Sequence, residues 1–335
     1  MPTSPPIIVY HADCIDGAAS AWIIAKALGV EDAVAKDAAV FIPYRHNDGQ
    51  TGEDAVRAAL KTGSDVYFAD VTPEKPFLDE LLKSGKEVHV LDHHTSAAET
   101  LDGRTEANLH TRFNPAAPSA AKMIWSHFFP SQEPPAVIEL IDLMDGAANG
   151  LSTPEEFAAA ALVDAQNIRT HQDAFAALRG LAKLEFNDMA QKGGSINAKH
   201  TQLIDRLFEK ASAVHLQLLP GGKAFDVPIV NGNLKQYGRR ISARLVDLGK
   251  DNGAPAAFMW SLQKNGAVSL YIRTDGTTDA SEIAKHLCKT TGATGGGHKD
   301  AAAVHFASIL DFARHVPMKA LKQARQTRRE PPSPS

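Results

Sequence analysis

The sequence predicts an α/β protein in which a parallel-sheet domain is joined by a helical connector to a smaller α/β domain. Three observations predict it. Short apolar, β-rich runs alternate with helix-like stretches as far as Leu91, helical periodicity then takes over, and strand-like runs return after Pro220-Gly221-Gly222. At 335 residues and 44% hydrophobic content, two compact cores are favoured over one.

The first strand covers Ile7 to Tyr10 and leads into a helix over Ala18 to Leu28. Val40 to Pro43, Asp65 to Ala69 and Glu87 to Leu91 supply further strands, with helices at Asp54 to Leu60 and Pro76 to Lys83. Strand, helix, strand in this rhythm reads as a parallel sheet covered on both faces, and ligands gather at the carboxyl ends of such strands. Helical spacing continues over Ser119 to Phe129, Pro135 to Asp145 and Pro154 to Val163. The segment Ile196 to Leu219 also has apolar residues at helical spacing and reads as the connector. Strands are then expected at Phe225 to Val230, Ala256 to Ser261 and Ala267 to Ile272, with helices near Gln236 to Leu248 and Ala280 to Thr290. The resulting division is 1–195 for the first domain, 196–221 for the connector, 222–325 for the second domain and 326–335 for a charged, Pro/Ser-rich flexible tail.

Composition narrows the function. A formal charge of −4 excludes a chain coated in positive field for holding long duplex nucleic acid, while short anionic substrates in a local site stay allowed. Cys14 and Cys288 form no CxxC pair, which argues against a disulfide scaffold or zinc knot and for a reducing compartment. No apolar run reaches the length of a membrane span, and Met1 to Tyr10 lacks a signal-type start, so a cytoplasmic protein without membrane partners is expected.

Ionisable residues concentrate after three strands. The first runs into His11-Ala12-Asp13-Cys14-Ile15-Asp16-Gly17, a set suited to a hard metal, although a plain capped helix start also fits. The second ends at Asp70, which alone would pass for a turn former before Pro73. The third delivers Asp92-His93-His94, which is costly to pack unless these groups bind a metal or each other. Neighbouring strands of one sheet would bring all three clusters to one edge.

These residues resemble the motifs of the DHH phosphoesterase superfamily, whose members include RecJ-type exonucleases, nanoRNA-degrading oligoribonucleases, cyclic-dinucleotide phosphodiesterases and family II inorganic pyrophosphatases. Thr294-Gly295-Gly296-Gly297-His298, followed by Lys299-Asp300-Ala301-Ala302-Ala303, resembles the GGGH signature of the DHH-associated C-terminal domain. The matched motifs span Ile7 to about Phe306.

The resemblance implies two divalent metal ions, Mn2+ first and Mg2+ second, with the active site in a cleft between the domains. His11 and Asp13 would hold one ion, Asp16 and His93 the other, and Asp70 would bridge them. A further ligand at a helix end would be Asp145, or Asp142 one turn earlier, with Asp145 favoured. His94 would act on the phosphoryl or leaving oxygen and Asp92 would fix the neighbouring imidazoles. One departure stands out: relatives carry Asp-x-Asp where this chain has Asp13-Cys14-Ile15-Asp16, so either Asp13 reaches the metal or Cys14 lies closest. Gly295, Gly296, Gly297 and His298 would cradle an anion from a flexible loop, and Arg273 would clasp a terminal phosphate. Arg239 and Arg240 read as a solvated helix face, and Ser119 as a helix cap.

The expected reaction is hydrolysis of short oligonucleotides, nanoRNA or dinucleotides, to mononucleotides. The alternatives are a phosphomonoesterase or pyrophosphatase acting on compounds such as 3′-phosphoadenosine 5′-phosphate, a cyclic-dinucleotide phosphodiesterase, and a metal-free nucleotide-binding regulator. A homodimer stays open.

Overall fold

The computed structural model describes residues 4–31, 38–45, 51–62, 65–146, 150–166, 168, 170–232 and 234–321. The chain divides into two units, Met1–Ala198 and Lys199–Ser335. The first contains β1 (Ile7–His11), α1 (Ile15–Ala27), β2 (Val40–Tyr44), α2 (Thr51–Ala59), β3 (Val66–Ala69), α3 (Lys75–Lys83), β4 (Val88–Asp92), the single turn α4 (Ala98–Leu101) and β5 (Leu109–Phe113). The helices α5 (Ala120–Phe128), α6 (Ala136–Asp145), α7 (Pro154–Asp164) and α8 (His171–Leu181) follow, and α9 (Phe186–Glu209) runs on into the second unit.

The strands form one sheet in the order β2-β1-β3-β4-β5, with every neighbouring pair parallel. Ile7 and Val9 face a core completed by Val56, Phe77, Leu78 and Leu81 from α2 and α3. Ile8 and Tyr10 point the other way, toward Trp22, Ile24, Ile124 and Ile141 from α1, α5 and α6. Burial on both faces explains why β1 and β3 are largely apolar, while the edge strand β5 carries exposed His110, Thr111 and Arg112. Because all strands run the same way, their carboxyl ends share one edge, and the motif residues follow β1, β3 and β4 there.

The second unit adds β6 (Ser212–Gln217), β7 (Ala224–Asn231), α10 (Leu234–Asp251), β8 (Ala257–Leu262), β9 (Val268–Arg273), α11 (Ala280–Thr291), β10 (Thr294–Gly297), β11 (Ala301–Phe306), α12 (Ile309–His315) and β12 (Met318–Ala320). Its sheet has the order β10-β11-β9-β8-β7-β6-β12, and only the β7–β8 pair is parallel. One face packs on α11 and α12 through Ile283, Leu287 and Phe312, and the other packs on Ile204, Phe208, Ile241 and Leu245.

Two expectations change. The helix expected over 196–221 begins earlier, at Phe186, and ends at Glu209, after which Ser212–Gln217 is a strand. Val214, Leu216 and Leu218 recur at every second residue, and burial of Val214 and Leu218 in the second sheet's core favours the strand period. The glycine run is an edge strand instead of a loop: a Cβ on Gly295 would lie 2.2 Å from the Ala303 carbonyl oxygen, so glycine lets β10 close on β11. The expected tail at 326–335 lies outside the described residues. Among the described residues, no helix is long and apolar enough to cross a membrane.

Contact between α9 and α7 depends on Gly193, where an added Cβ would sit 1.8 Å from the Ala158 carbonyl oxygen. Gly193→Ala is therefore expected to destabilise the first unit by about 2 kcal/mol, as core overpacking does. Urea denaturation followed by far-UV circular dichroism checks this, and an unchanged midpoint would refute the close-packing account.

Candidate metal centre

The backbone bends sharply where the site is assembled. Asp13 and Asp70 are the described non-glycine residues with positive φ, at 58° and 62°. Left-handed backbone is uncommon outside glycine, and aspartate is among the residues that tolerate it. Gly17, in the first turn of α1, lets that helix lie against the end of β1, because a Cβ there would meet the His11 carbonyl oxygen at 2.3 Å.

Two groups of potential ligands result, His11 with Asp70 and His94, and Asp16 with His93 and Asp145. Within each group, the candidate donor atoms lie within 4.8 Å of one another. Asp70 links the groups: its Oδ2 is 3.4 Å from His11 Nδ1, and its Oδ1 is 3.3 Å from His93 Nε2. His93 Nε2 is also 3.5 Å from Asp145 Oδ2 and 3.8 Å from Asp16 Oδ2.

These approaches are close, yet His11 Nδ1, Asp70 Oδ1 and His93 Nε2 are buried without a hydrogen bond of acceptable geometry. Buried polar atoms normally find partners, so a cluster that points inward without bonding fits metal coordination. The His93 ring is oriented for it. Its Nδ1 lies 3.1 Å from the Ala117 carbonyl, which can only accept, so Nδ1 bears a proton and Nε2 is the atom turned to the carboxylates of the site.

The charges agree with this reading. Burial, then repulsion by Asp70 and Asp145, raises the Asp16 carboxyl well above its ordinary value, while the Ala121 and Ala120 amides oppose the rise. For His93, burial lowers the pKa, but Asp70, the Ala117 carbonyl and Asp16 outweigh it and carry the ring up to about 9. Crowded carboxylates that hold an imidazole in its cationic form are a setting that calls for positive charge, which divalent ions supply.

Several residues depart from their expected places. Asp13 joins neither group: its side chain is 73% exposed and accepts from Arg45 Nε at 3.1 Å and Nη2 at 2.7 Å. Cys14 also stays out of both groups, and burial followed by the charge of Asp70 pushes its thiol up to about 12. His94, expected beside the ions, instead groups with His11 and Asp70. Asp145 joins the second group, whereas Asp142 joins neither and accepts from Ser119 Oγ at 2.7 Å.

Asp92 bonds to both of the histidines that follow it. Its Oδ1 accepts from the backbone amides of His93 and His94 at 2.8 and 3.1 Å and lies 2.7 Å from His94 Nδ1, while its Oδ2 accepts from Thr72 Oγ1 at 2.6 Å. Burial acts to raise the Asp92 pKa, but the bonds from His94 and Thr72 leave it below the ordinary value. Thr72 was missed because, beside Pro73, it reads as part of a turn; its place after an apolar strand and an acidic residue was the available signal. Lys122, whose Nζ is 2.7 Å from Glu139 and 3.3 Å from Asp142, gave no sequence signal beyond a helix-face charge.

In the second unit, β9 and β11 place Arg273 opposite Ala301, beside the turn that follows the glycine strand. The Lys299 carbonyl accepts from the Ala280 amide and Thr274 Oγ1, and the Asp300 carbonyl accepts from the Thr274 amide, which fixes that turn. Arg273 Nε donates to Ser242 Oγ at 3.0 Å, and burial lowers its pKa. Arg273 and His298 are thus brought to one end of the sheet, with the His298 side chain exposed. The Arg239 side chain lies outside the described residues.

Comparison with known proteins matches residues 232–324 to the DHHA1 domain, the stretch that contains the glycine motif at 294–298. No curated protein matches the chain. Among solved structures, RecJ from Thermus thermophilus in complex with Mn2+ aligns at 17% identity and a TM-score of 0.47, covering 93% of this chain and 51% of that one. This chain therefore spans about half the length of that RecJ. CDC45 from Entamoeba histolytica aligns at 7% identity and a TM-score of 0.46, covering 93% and 94% of the two chains. The C-Ala domain of Aquifex aeolicus alanyl-tRNA synthetase aligns at 18% identity and a TM-score of 0.20, over 27% of this chain and 86% of that domain.

The bond to Asp92 is the leading reason that the His94 pKa is raised, with burial opposing it. Asp92→Asn is expected to lower that pKa toward the ordinary histidine value by removing the carboxylate charge. Histidine NMR titration of the metal-free protein checks this, and an unmoved His94 titration would discount the pairing.

Proposed function

We propose that this chain, with a DHHA1 match in its second unit, is a phosphodiesterase that cleaves short oligonucleotides to mononucleotides using two divalent cations. The observation that carries the reading is the convergence of His11, Asp16, Asp70, His93, His94 and Asp145, with three of their polar atoms buried and without hydrogen bonds. Mn2+ is the first choice of ion and Mg2+ the second, because carboxylate and imidazole donors form a hard to intermediate ligand set.

His11, Asp70 and His94 would hold one ion, and Asp16, His93 and Asp145 the other, with Asp70 shared. When bound, such a pair acts as a Lewis acid on phosphoryl oxygens and lowers the pKa of a shared water. Asp92 fixes the His94 ring through Nδ1, which also lies 3.7 Å from Asp70 Oδ1, and the Ala117 carbonyl holds His93 Nδ1 so that Nε2 faces Asp16, Asp70 and Asp145. Asp70 holds the two groups at a fixed spacing. Arg273, His298 and the amides of the glycine strand would bind the phosphate end of the substrate. A net charge of −4 suits short substrates over long duplex, and the free thiols Cys14 and Cys288 suit a reducing cytoplasm.

The test combines metal counting with a substrate panel. Purified protein is expected to bind two Mn2+ per chain and to release mononucleotides from labelled di- to decanucleotides. Asp70→Ala should lower both metal content and turnover, the latter by more than about 100-fold. Linear and cyclic dinucleotides, 3′-phosphoadenosine 5′-phosphate and pyrophosphate complete the panel. Preference for one of the last three would transfer the reading to that substrate class, and hydrolysis without bound metal would overturn the mechanism.

A further inference from the structure

We propose that Ser119, Asp142 and Lys122 form a positioning relay that sets two metal-binding carboxylates from outside the coordination groups. The inference rests on the proposed metal centre and assigns Asp142 a role other than ligand.

Asp16 is seated on the amino terminus of α5. The Ala120 amide donates to its Oδ2 and the Ala121 amide to its Oδ1, each at 2.8 Å, so both carboxylate oxygens and the plane between them are fixed by backbone. Those amides can hold Asp16 only if the first turn of α5 is itself held. Ser119, the fully buried N-cap, does this with one hydroxyl: its Oγ accepts from the Lys122 amide at 3.3 Å and donates to Asp142 Oδ1 at 2.7 Å.

Asp142 is itself buried, 8% exposed, and its charge is met by Lys122 Nζ at 3.3 Å from Oδ2. Lys122 also grips Glu139 at 2.7 Å, so α5 and α6 are tied at two successive turns of α6. Asp142 and Asp145 are three residues apart on α6 and share one of its faces. A bond that locks Asp142 to the start of α5 therefore sets the height and rotation at which Asp145 meets His93. One hydroxyl and one carboxylate thus hold Asp16 and Asp145, the two carboxylates of the second group, in mutual register.

A ligand and a positioning residue predict different measurements. In Ser119→Ala and Asp142→Ala, hydrogen exchange of the Ala120 and Ala121 amides should accelerate by at least about tenfold in the metal-free protein. Mn2+ affinity, read from free Mn2+ by electron paramagnetic resonance, should fall about 10- to 100-fold with stoichiometry at saturation unchanged. Ser119→Thr, which keeps the hydroxyl, should restore both. A lower saturating stoichiometry in Asp142→Ala would make Asp142 a ligand and overturn the relay. Wild-type exchange and affinity in both alanine variants would overturn it as well. If wild type bound no Mn2+, the proposed function would fail while the exchange measurement still judged the relay.

Discussion

Burial of like charges at one sheet edge is the constraint around which the first unit is built. Asp16, Asp70 and Asp92 are each 1% exposed, and an isolated buried carboxylate is too costly to persist. The fold answers each one differently. Asp92 is saturated by donors from Thr72, His93 and His94, so its charge is spent on holding those residues. Asp16 is met by two amides at a helix start, where the helix dipole adds to the bonds. Asp70 has neither kind of support at Oδ1 and lies among imidazoles. The unmet demand for positive charge is therefore concentrated at the residue shared by both groups.

The parallel sheet makes that concentration attainable. Side chains that leave the carboxyl ends of β1, β3 and β4 arrive at one edge irrespective of their distance in sequence. β1 lies beside β3 and β3 beside β4, so Asp70 is central between His11 and the Asp92-His93-His94 triplet. The positive φ at Asp70 belongs to this centre, since unusual backbone of this kind is kept where function over-determines it.

Much of this was legible in the sequence, for identifiable reasons. Alternation of apolar runs with helical stretches exposed the parallel sheet, because β1, β3 and β4 are buried on both faces and have no polar side to blur them. His11, Asp70, His93 and Asp145 stand out in the sequence because each follows or ends a regular element, and the structure brings their side chains together. Asp13 misled because spacing cannot report backbone hand: its positive φ and the Arg45 partner take it outward. His94 was set apart from the ligands because its ring direction depends on a bond to Asp92 that no linear pattern encodes. Asp142 and Asp145 are equivalent by spacing, and only their partners, Ser119 with Lys122 for one and His93 for the other, distinguish them.

The glycine strand shows how one short motif can answer two demands that must be separated. Gly295 and Gly297 are required by packing alone, since a Cβ on either would press on β11, at 2.2 Å from the Ala303 oxygen and 2.4 Å from the Ala302 Cα. Loss of function at those positions would report on the sheet as much as on any bound anion. Gly296 lies between them with nothing within 4 Å of its would-be Cβ and with no left-handed backbone. Among the described residues packing places no demand for glycine there, so a need for glycine at 296 would point to something else that approaches the exposed strand. That single position carries the distinction between a strand that is merely thin and one that is thin for a ligand.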